Sequence, residues 1–204
     1  MLTRQDIVIP FITGKKVLDC GGAHYTQFDL LHDRGLWFHD TIRDNAGYVL
    51  GVDIDKDAVK YLNDRNYNFR VMDVQNMEFK EEFEVVTGGE LIEHLELPSL
   101  FLRSAFRALV PGGLLIITTP NVYGLKFIAR YTILKNELVH PDHVAAFTPK
   151  LLCQLLTRCG FAIKEVAICA KESHRKSIKF IKLIISELVP HLGEQLVVIA
   201  QKPD

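Results

Sequence analysis

The sequence contains few cysteines, and none of them forms a Cys-x-x-Cys pair. The four thiols lie among apolar neighbours, at positions 20, 153, 159 and 169. This pattern predicts reduced, packed thiols in an intracellular protein.

Long apolar runs and a targeting pattern are also missing. No apolar run reaches the roughly 20 residues that a bilayer-spanning helix needs, and the N-terminus lacks a charged-then-apolar secretion pattern. The formal net charge is only -1, which gives no overall attraction to nucleic acid or to an acidic membrane. We therefore expect a soluble, cytoplasmic protein without a transmembrane segment.

The 204 residues contain no internal repeat, low-complexity tract or linker. Their composition, 48% hydrophobic and 24% charged, is typical of a globular domain with one sizeable core. We expect a single domain over residues 1–204.

Short apolar runs alternate with amphipathic stretches along most of the chain. The runs predict strands at 16–20, 47–53, 69–73, 83–87, 114–119, 161–170 and 196–200. Helices are predicted at 55–63, 98–109 and 149–159. A further helical passage at 26–44 is interrupted near Gly35, and Pro111-Gly112-Gly113 is predicted to end the helix at 98–109. This alternation favours a doubly wound α/β fold whose sheet is mostly parallel.

Acidic residues and two glycines follow the predicted strands. Gly21 and Gly22 follow the first, and the acids at or near strand ends are Asp19, Asp53, Asp73 and Glu90. Ligands bind at the carboxyl ends of such strands, where a carboxylate can accept hydrogen bonds from both ribose hydroxyls. A nicotinamide dinucleotide fits less well, because Gly-x-Gly-x-x-Gly is not completed. A nucleoside site is predicted.

Two stretches interrupt the alternation. Residues 122–147 follow the fifth strand on the ligand side, which predicts a lid or acceptor pocket. Residues 173–190 carry an apolar stripe at helical spacing, with lysines elsewhere. This pattern predicts an amphipathic helix that packs on the domain edge, forms a homodimer face or lies on a membrane surface.

Five short motifs follow one another along the chain. They are VLDCGG at 17–22, GVDID at 51–55, MDV at 72–74, ELIEHL at 90–95 and LVPGGLL at 109–115. In this order and spacing they resemble the class I S-adenosylmethionine-dependent methyltransferases, over essentially the whole chain. The Glu-x-x-Glu-His stretch, with TPN at 119–121 and PDH at 141–143, is similar to one branch. That branch contains ubiquinone-biosynthesis O-methyltransferases, glycan and secondary-metabolite methyltransferases, and small-RNA 3′-terminal 2′-O-methyltransferases.

The resemblance implies a Rossmann-like methyltransferase sheet of seven strands, with the last strand antiparallel between the fifth and sixth. It implies that Gly21 and its turn lie under the methionine part of S-adenosylmethionine, that Asp53 binds the ribose and that Asp73 binds the adenine amine. The full predicted cofactor set is Asp19, Gly21, Gly22, Asp53, Ile54, Asp73, Val74 and Gly89, with Ile54 and Val74 packing the ring. The family turn, Asp-x-Gly-x-Gly-x-Gly, has Ala23 and Tyr25 here at its second and third glycine positions.

Three residues of the Glu-x-x-Glu-His stretch, Glu90, Glu93 and His94, would share one face of a helix. With His143 they offer two carboxylates and two imidazoles, a donor set for Mg²⁺, Mn²⁺ or Zn²⁺, and the resemblance also implies a metal site here. Glu93, His94 and His143 are the predicted catalytic residues. The alternative is that His94 acts as a base or an orienting group without a metal.

A metal that chelates neighbouring oxygens would lower the pKa of a hydroxyl. We therefore expect O-methylation of a small polar acceptor with neighbouring hydroxyls, such as a sugar or a phenolic metabolite. RNA is the second candidate acceptor, and only Lys126, Arg130 and Lys135 in the insertion favour it. A catalytically silent binding subunit is a further alternative, because the glycine turn is altered.

Overall fold

The computed structural model describes residues 2–23, 28–135, 140–170 and 190–204. Within these ranges one sheet contains β1 (Lys16–Cys20), β2 (Tyr48–Asp53), β3 (Phe69–Val71), β4 (Phe83–Gly89), β5 (Leu109–Pro120), β6 (Ala162–Cys169) and β7 (Gln195–Gln201). The strand order is β3-β2-β1-β4-β5-β7-β6, with β1 to β5 parallel and β7 antiparallel to both neighbours. The predicted doubly wound α/β fold with an antiparallel last strand is confirmed.

The α-helices of the described ranges are α1 (Arg4–Ile12), α2 (Phe28–His32), α3 (Phe38–Asn45), α4 (Lys56–Asn63), α5 (Pro98–Ala108), α6 (Leu125–Leu134) and α7 (Pro149–Arg158). Three of them, α4, α5 and α7, begin within one residue of the predicted start. The Asp55 carboxylate accepts hydrogen bonds from the first turn of α4, and the Thr148 hydroxyl caps α7. Such caps satisfy backbone donors that a helix start leaves open. None of these helices is long and apolar enough to cross a bilayer.

Two apolar layers fill the faces of the sheet. One packs α5 and α7 against the sheet, for example through Phe101 and Leu152. The other packs α1 and α3 against the opposite face, for example through Val8 and Ile42. Because both faces of the central strands are covered, these strands are mainly apolar, as parallel strands generally are.

The structure corrects several predicted boundaries. Helix α5 ends at Ala108, and β5 begins at once, so Pro111-Gly112-Gly113 lies inside β5 instead of ending a helix. The register of β4 with β5 shifts there, which accommodates the extra residues. The third strand ends at Val71, and Asp73 caps a short 3₁₀ turn at Val74–Asn76. The insertion contains helix α6, which the sequence did not predict.

Two predictions fall outside the described residues. The amphipathic helix at 173–190 lies almost entirely in the undescribed segment 171–189, and Tyr25 lies in the undescribed segment 24–27.

An aromatic cluster joins α2, α3 and β3. It contains Phe28, Trp37, Tyr67 and Phe69. The Tyr67 hydroxyl donates a hydrogen bond of 2.8 Å to Asp40, whose carboxylate also lies 3.1 Å from Arg43. Burial of the phenol and its bond to Asp40 raise the pKa of Tyr67 to about 12. The cluster therefore keeps Tyr67 protonated in alkaline solution.

Tyr67 should make the stability of the protein sensitive to alkali. The pKa of Tyr67 in the folded state is raised above the ordinary value of 10.0. The contribution of Tyr67 to the free energy of unfolding is therefore complete below about pH 10 and is lost as the pH rises through about 12. The Tyr67→Phe variant has no hydroxyl to ionise at this position, so its free energy of unfolding should not show this loss. Urea-induced unfolding at pH values from about 9 to about 12 measures it. Tyr131→Phe, at a residue that is 60% exposed, is the control, and an equal change in both variants would contradict the prediction.

Lys202 fastens the chain after β7 to the start of β5. Its ammonium donates to the Leu109 carbonyl at 2.8 Å and to Glu81 at 3.2 Å, and the residue is buried. Lys202→Met removes the donor from a buried carbonyl, so the free energy of unfolding should fall by about 1–3 kcal/mol. The matched control is Lys15→Met, whose ion pair with Glu84 is exposed and should contribute less than about 1 kcal/mol. Equal losses in the two variants would refute the assignment.

Candidate functional site

The strand order reverses between β1 and β4, because β2 and β3 extend the sheet to one side and β5 to the other. Loops that leave the carboxyl ends of two such strands diverge, and the crevice between them is where open α/β sheets bind ligands. The turn after β1 and the 3₁₀ turn after β4 (Ile92–His94) border this crevice.

Gly21 begins the turn after β1. Its φ is +72°, and its N–H donates to the Val52 carbonyl at 2.8 Å. A β-carbon here would lie 2.6 Å from Leu91 Cδ1. The torsion therefore requires glycine, and the turn passes close to the segment after β4.

Asp53 ends β2 beside this turn. One carboxylate oxygen accepts from the Ala23 N–H at 3.0 Å and the other from the Asp55 N–H at 3.1 Å. A carboxylate has about four acceptor sites, so capacity remains for ligand hydroxyls. The two backbone bonds fix the orientation of this half-buried carboxylate.

The end of β3 adds a second acid. Asp73 is exposed and accepts from the Gln75 N–H at 2.9 Å. Ile54, directly after Asp53, is 70% exposed, whereas Val74 is 6% exposed and belongs to the core. An apolar side chain between two strand-end acids is suited to packing against a purine ring.

Asp19 lies under the turn. It is 2% exposed, and its carboxylate accepts from the Thr87 hydroxyl at 2.6 Å and contacts His39 Nδ1 at 2.8 Å. A β-carbon at Gly22 would lie 2.5 Å from Asp19 Oδ2. The Asp19 carboxylate therefore packs against Gly22 and occupies the space that a side chain at position 22 would need.

Gly89 ends β4 on the other side of the crevice. A β-carbon here would lie 2.7 Å from the Phe38 ring and 3.7 Å from Arg4 Nη1. The Arg4 guanidinium lies 4.1 Å from the centre of the same ring. A cation therefore stands at the carboxyl end of β4, among strand ends that otherwise carry acids.

The segment after β4 brings the predicted catalytic residues together. Ligand atoms of Glu93, His94 and His143 all lie within 4.8 Å of one another. Glu93 is 1% exposed and accepts from the Thr119 hydroxyl at 2.9 Å. The rings of the two histidines meet edge to face, with centres 4.7 Å apart.

Backbone contacts place His143 beside this turn. The Glu93 carbonyl accepts from the N–H groups of Val144 and Ala145 at 2.9 and 3.1 Å. His94 Nδ1 lies 3.2 Å from the Asp142 carbonyl. A carbonyl only accepts, so this contact requires the proton on Nδ1 and leaves Nε2 of His94 as an acceptor or metal ligand.

Glu90 does not share a helical face with Glu93 and His94, because the 3₁₀ turn begins only at Ile92. Glu90 has φ +53°, its N–H donates to the Thr118 carbonyl at 2.9 Å, and its carboxylate accepts from Gln195 at 3.0 Å. The left-handed backbone takes its side chain away from the direction that an α-helix would give. Glu90 is not a member of the group formed by Glu93, His94 and His143.

This group has a donor set that suits a divalent metal. One buried carboxylate and two imidazoles are common ligands of zinc and related ions. The Asp142 carbonyl orients the His94 ring, as outer partners of metal-binding histidines do. The residues present therefore fit a metal ion.

Three neighbours of the crevice were not identified from the sequence: Arg4, Trp37 and His39. Each acts on a residue distant along the chain, Arg4 beside Gly89 and Trp37 through the Gly22 carbonyl. No local spacing marks such contacts. Trp37 and His39 flank Phe38 at the start of α3, and both are buried.

Comparison with known proteins agrees with this geometry. A family model described as a methyltransferase domain matches residues 5–166. The ubiquinone biosynthesis O-methyltransferase of Pseudomonas entomophila is 30% identical over 160 residues, which cover 67% of this chain and 63% of that protein. A Mycolicibacterium smegmatis protein named "Probable S-adenosylmethionine-dependent methyltransferase" is 28% identical over 134 residues, 62% of this chain. The aligned part is 48% of the mycobacterial protein, so this chain spans about half of it.

Solved structures share the fold. An S-adenosylmethionine-dependent methyltransferase from Mesorhizobium loti has a TM-score of 0.68 at 18% identity, covering 97% of this chain and 95% of that one. The [4+2]-cyclase SpnF has a TM-score of 0.64 at 16% identity, covering 98% of this chain and 80% of that one. A cyclase among the neighbours shows that the fold alone does not fix the reaction.

Proposed function

This chain belongs to the methyltransferase domain family, and we propose that it transfers a methyl group from S-adenosylmethionine. The observation that carries the proposal is the pair of strand-end acids beside the Gly21 turn. Asp53 is oriented by two backbone N–H groups, and Asp73 is exposed at the neighbouring strand end. This arrangement suits a nucleoside in the crevice, with ribose on the first acid and the adenine amine on the second.

The remaining cofactor contacts follow from this placement. Gly21 and Gly22 lie under the methionine part, Ile54 packs the purine, and Asp19 supports the turn. Gly89 borders the methionine end. Arg4, beside Gly89, supplies the cation that the carboxylate of the cofactor needs.

The acceptor is proposed to be a small polar molecule with neighbouring hydroxyls, a sugar or a phenolic metabolite. Glu93, His94 and His143 would hold a divalent ion at the far side of the crevice. Such an ion supplies Lewis acidity, which favours the ionised form of a chelated hydroxyl. The three side chains orient the acceptor, and in-line alignment of its oxygen with the sulfonium methyl supplies much of the rate. The name of the Pseudomonas relative, a ubiquinone biosynthesis O-methyltransferase, is consistent with an oxygen as the methyl acceptor.

Residues 1–204 are proposed to act as one domain, with the insertion at 122–147 bordering the acceptor. The bonds from Val144 and Ala145 to the Glu93 carbonyl support this position. His143 then comes from the insertion and Glu93 from the segment after β4, so both elements contribute to acceptor binding.

Asp53→Ala should weaken binding of S-adenosylhomocysteine by about tenfold to a hundredfold, because charge-assisted bonds to the ribose are lost. Asp57→Ala, at an exposed carboxylate on α4, should bind as the wild type does. Isothermal calorimetry measures both. If the wild type gives heat with a nicotinamide dinucleotide and none with S-adenosylhomocysteine, the proposed cofactor is wrong.

The acceptor class is tested by transfer of tritium from the labelled methyl group into a metabolite extract or into short RNA. Label in the small-molecule fraction is expected. Label confined to RNA would replace the proposed acceptor, and cofactor binding without transfer to either would indicate a silent binding subunit.

The metal proposal predicts that chelator removes activity and that Mn²⁺, Mg²⁺ or Zn²⁺ restores it. His143→Ala should require at least about tenfold more metal for half-maximal rescue, because one ligand is lost. His191→Ala is the control, since its exposed side chain is outside the three-residue group. Full activity in chelator that is abolished in His94→Gln would instead leave His94 as a base.

A further inference from the structure

We propose that Trp37 and His39, at the start of α3, are positioning residues for the cofactor. They hold the turn of Gly22 and, through it, the carboxylate that binds the ribose. This inference rests on the proposed function, because it concerns the same cofactor site.

The Trp37 side chain anchors the turn by a hydrogen bond to the backbone of the turn. Its indole N–H donates to the Gly22 carbonyl at 3.0 Å, and the residue is 2% exposed. The indole ring is fixed by Phe28 and Tyr67, whose ring centres lie 5.1 and 4.9 Å away. The direction of this bond is therefore set by a rigid aromatic cluster.

His39 anchors the turn through Asp19. Its Nδ1 lies 2.8 Å from Asp19 Oδ2, and its side chain is fully buried. When Asp19 is ionised, Nδ1 carries the proton. Because Thr87 holds the other carboxylate oxygen, Asp19 is fixed at both ends, and His39 determines where Oδ2 lies.

The second nitrogen of His39 indicates that packing alone does not explain the residue. His39 Nε2 is buried and has no hydrogen-bond partner among the described residues. A buried polar atom without a partner is rare and carries a desolvation cost. A leucine could fill the same space without leaving a buried nitrogen unpaired. The N–H that the ring donates to Asp19 gives a reason for the cost.

The requirement for glycine at position 22 comes from Asp19 and His39. Its φ is not in the left-handed region, so torsion does not require glycine. Space does, because a β-carbon would lie 2.5 Å from Asp19 Oδ2 and 3.7 Å from His39 Nδ1. The carboxylate held by His39 occupies the volume of a side chain at position 22.

The position of Gly22 affects the ribose site through Ala23. Ala23 follows Gly22, and its N–H donates to Asp53 Oδ2 at 3.0 Å. A shift of Gly22 would move this donor and turn the Asp53 carboxylate. The chain has alanine where the related turn has its second glycine, and the two side-chain anchors at the start of α3 fix the backbone there.

Trp37 also supplies the measurement, because it is the only tryptophan in the sequence. Titration of the wild type with S-adenosylhomocysteine should change Trp37 fluorescence with the same dissociation constant as calorimetry gives. His39→Leu should raise that constant about tenfold, the equivalent of one hydrogen bond. The kcat at saturating cofactor should remain within about twofold, since no reacting atom is touched. His39→Asn, which keeps a donor for Asp19, should recover most of the affinity.

Trp37→Phe removes the indole N–H and keeps an aromatic ring. It should raise the dissociation constant by a similar factor in calorimetry, which keeps the inference testable if His39→Leu does not fold. Lys202→Met is the control, because it lowers stability far from the turn and should leave affinity unchanged.

Wild-type affinity in Trp37→Phe and in the folded His39 variants would overturn the inference, and so would a lower kcat with unchanged affinity. Equal effects of His39→Leu and His39→Asn would also overturn it, by assigning His39 to packing. A wild type that does not bind S-adenosylhomocysteine would instead refute the proposed function.

Discussion

The buried carboxylate of Asp19 is the interaction on which the cofactor side of the molecule depends. An ionised carboxylate away from water is costly unless it is hydrogen-bonded, and here Thr87 of β4 and His39 of α3 satisfy it. The same group therefore connects β1, β4 and α3 at the point where the strand order reverses. Because Gly22 packs directly against this carboxylate, the position of the carboxylate sets the position of the turn that borders the crevice.

The acceptor side is organised around a second buried carboxylate, Glu93. Its side chain accepts from Thr119 of β5, and its backbone carbonyl accepts from the insertion at Val144 and Ala145. Two imidazoles then lie beside an acid that the core holds in place. The left-handed residue Glu90 separates the two sides, since it follows the end of β4 and begins the segment that leads to Glu93. Strain of this kind commonly occurs at functional sites.

Much of the fold could be predicted from the sequence, because the buried parallel strands are continuous apolar runs and several helix starts carry their own caps, such as Asp55 and Thr148. The errors arose where tertiary contacts overrode a local pattern. Pro111-Gly112-Gly113 has the composition of a helix stop, yet the sheet absorbs it as a register shift in β5. Helical spacing at Glu90, Glu93 and His94 predicted one shared face, yet β4 continues to Gly89 and a left-handed turn follows.

The site could be predicted only in part, for a physical reason. Strand-end acids such as Asp53 and Asp73 are visible in sequence because the strand pattern locates them. Trp37 and His39 are not, because their partners lie 15 and 20 residues away and no periodicity links the pairs. Residues that support a turn from another element become evident only when the elements are packed together.

A crystal structure of the protein with S-adenosylhomocysteine tests the nucleoside site most directly. We expect the ribose hydroxyls within hydrogen-bond distance of the Asp53 carboxylate, the adenine amine at Asp73 and the purine against Ile54. A nucleoside bound away from the crevice between β1 and β4, or oriented with its ribose away from Asp53, would contradict the assignment of this edge of the sheet as the cofactor site.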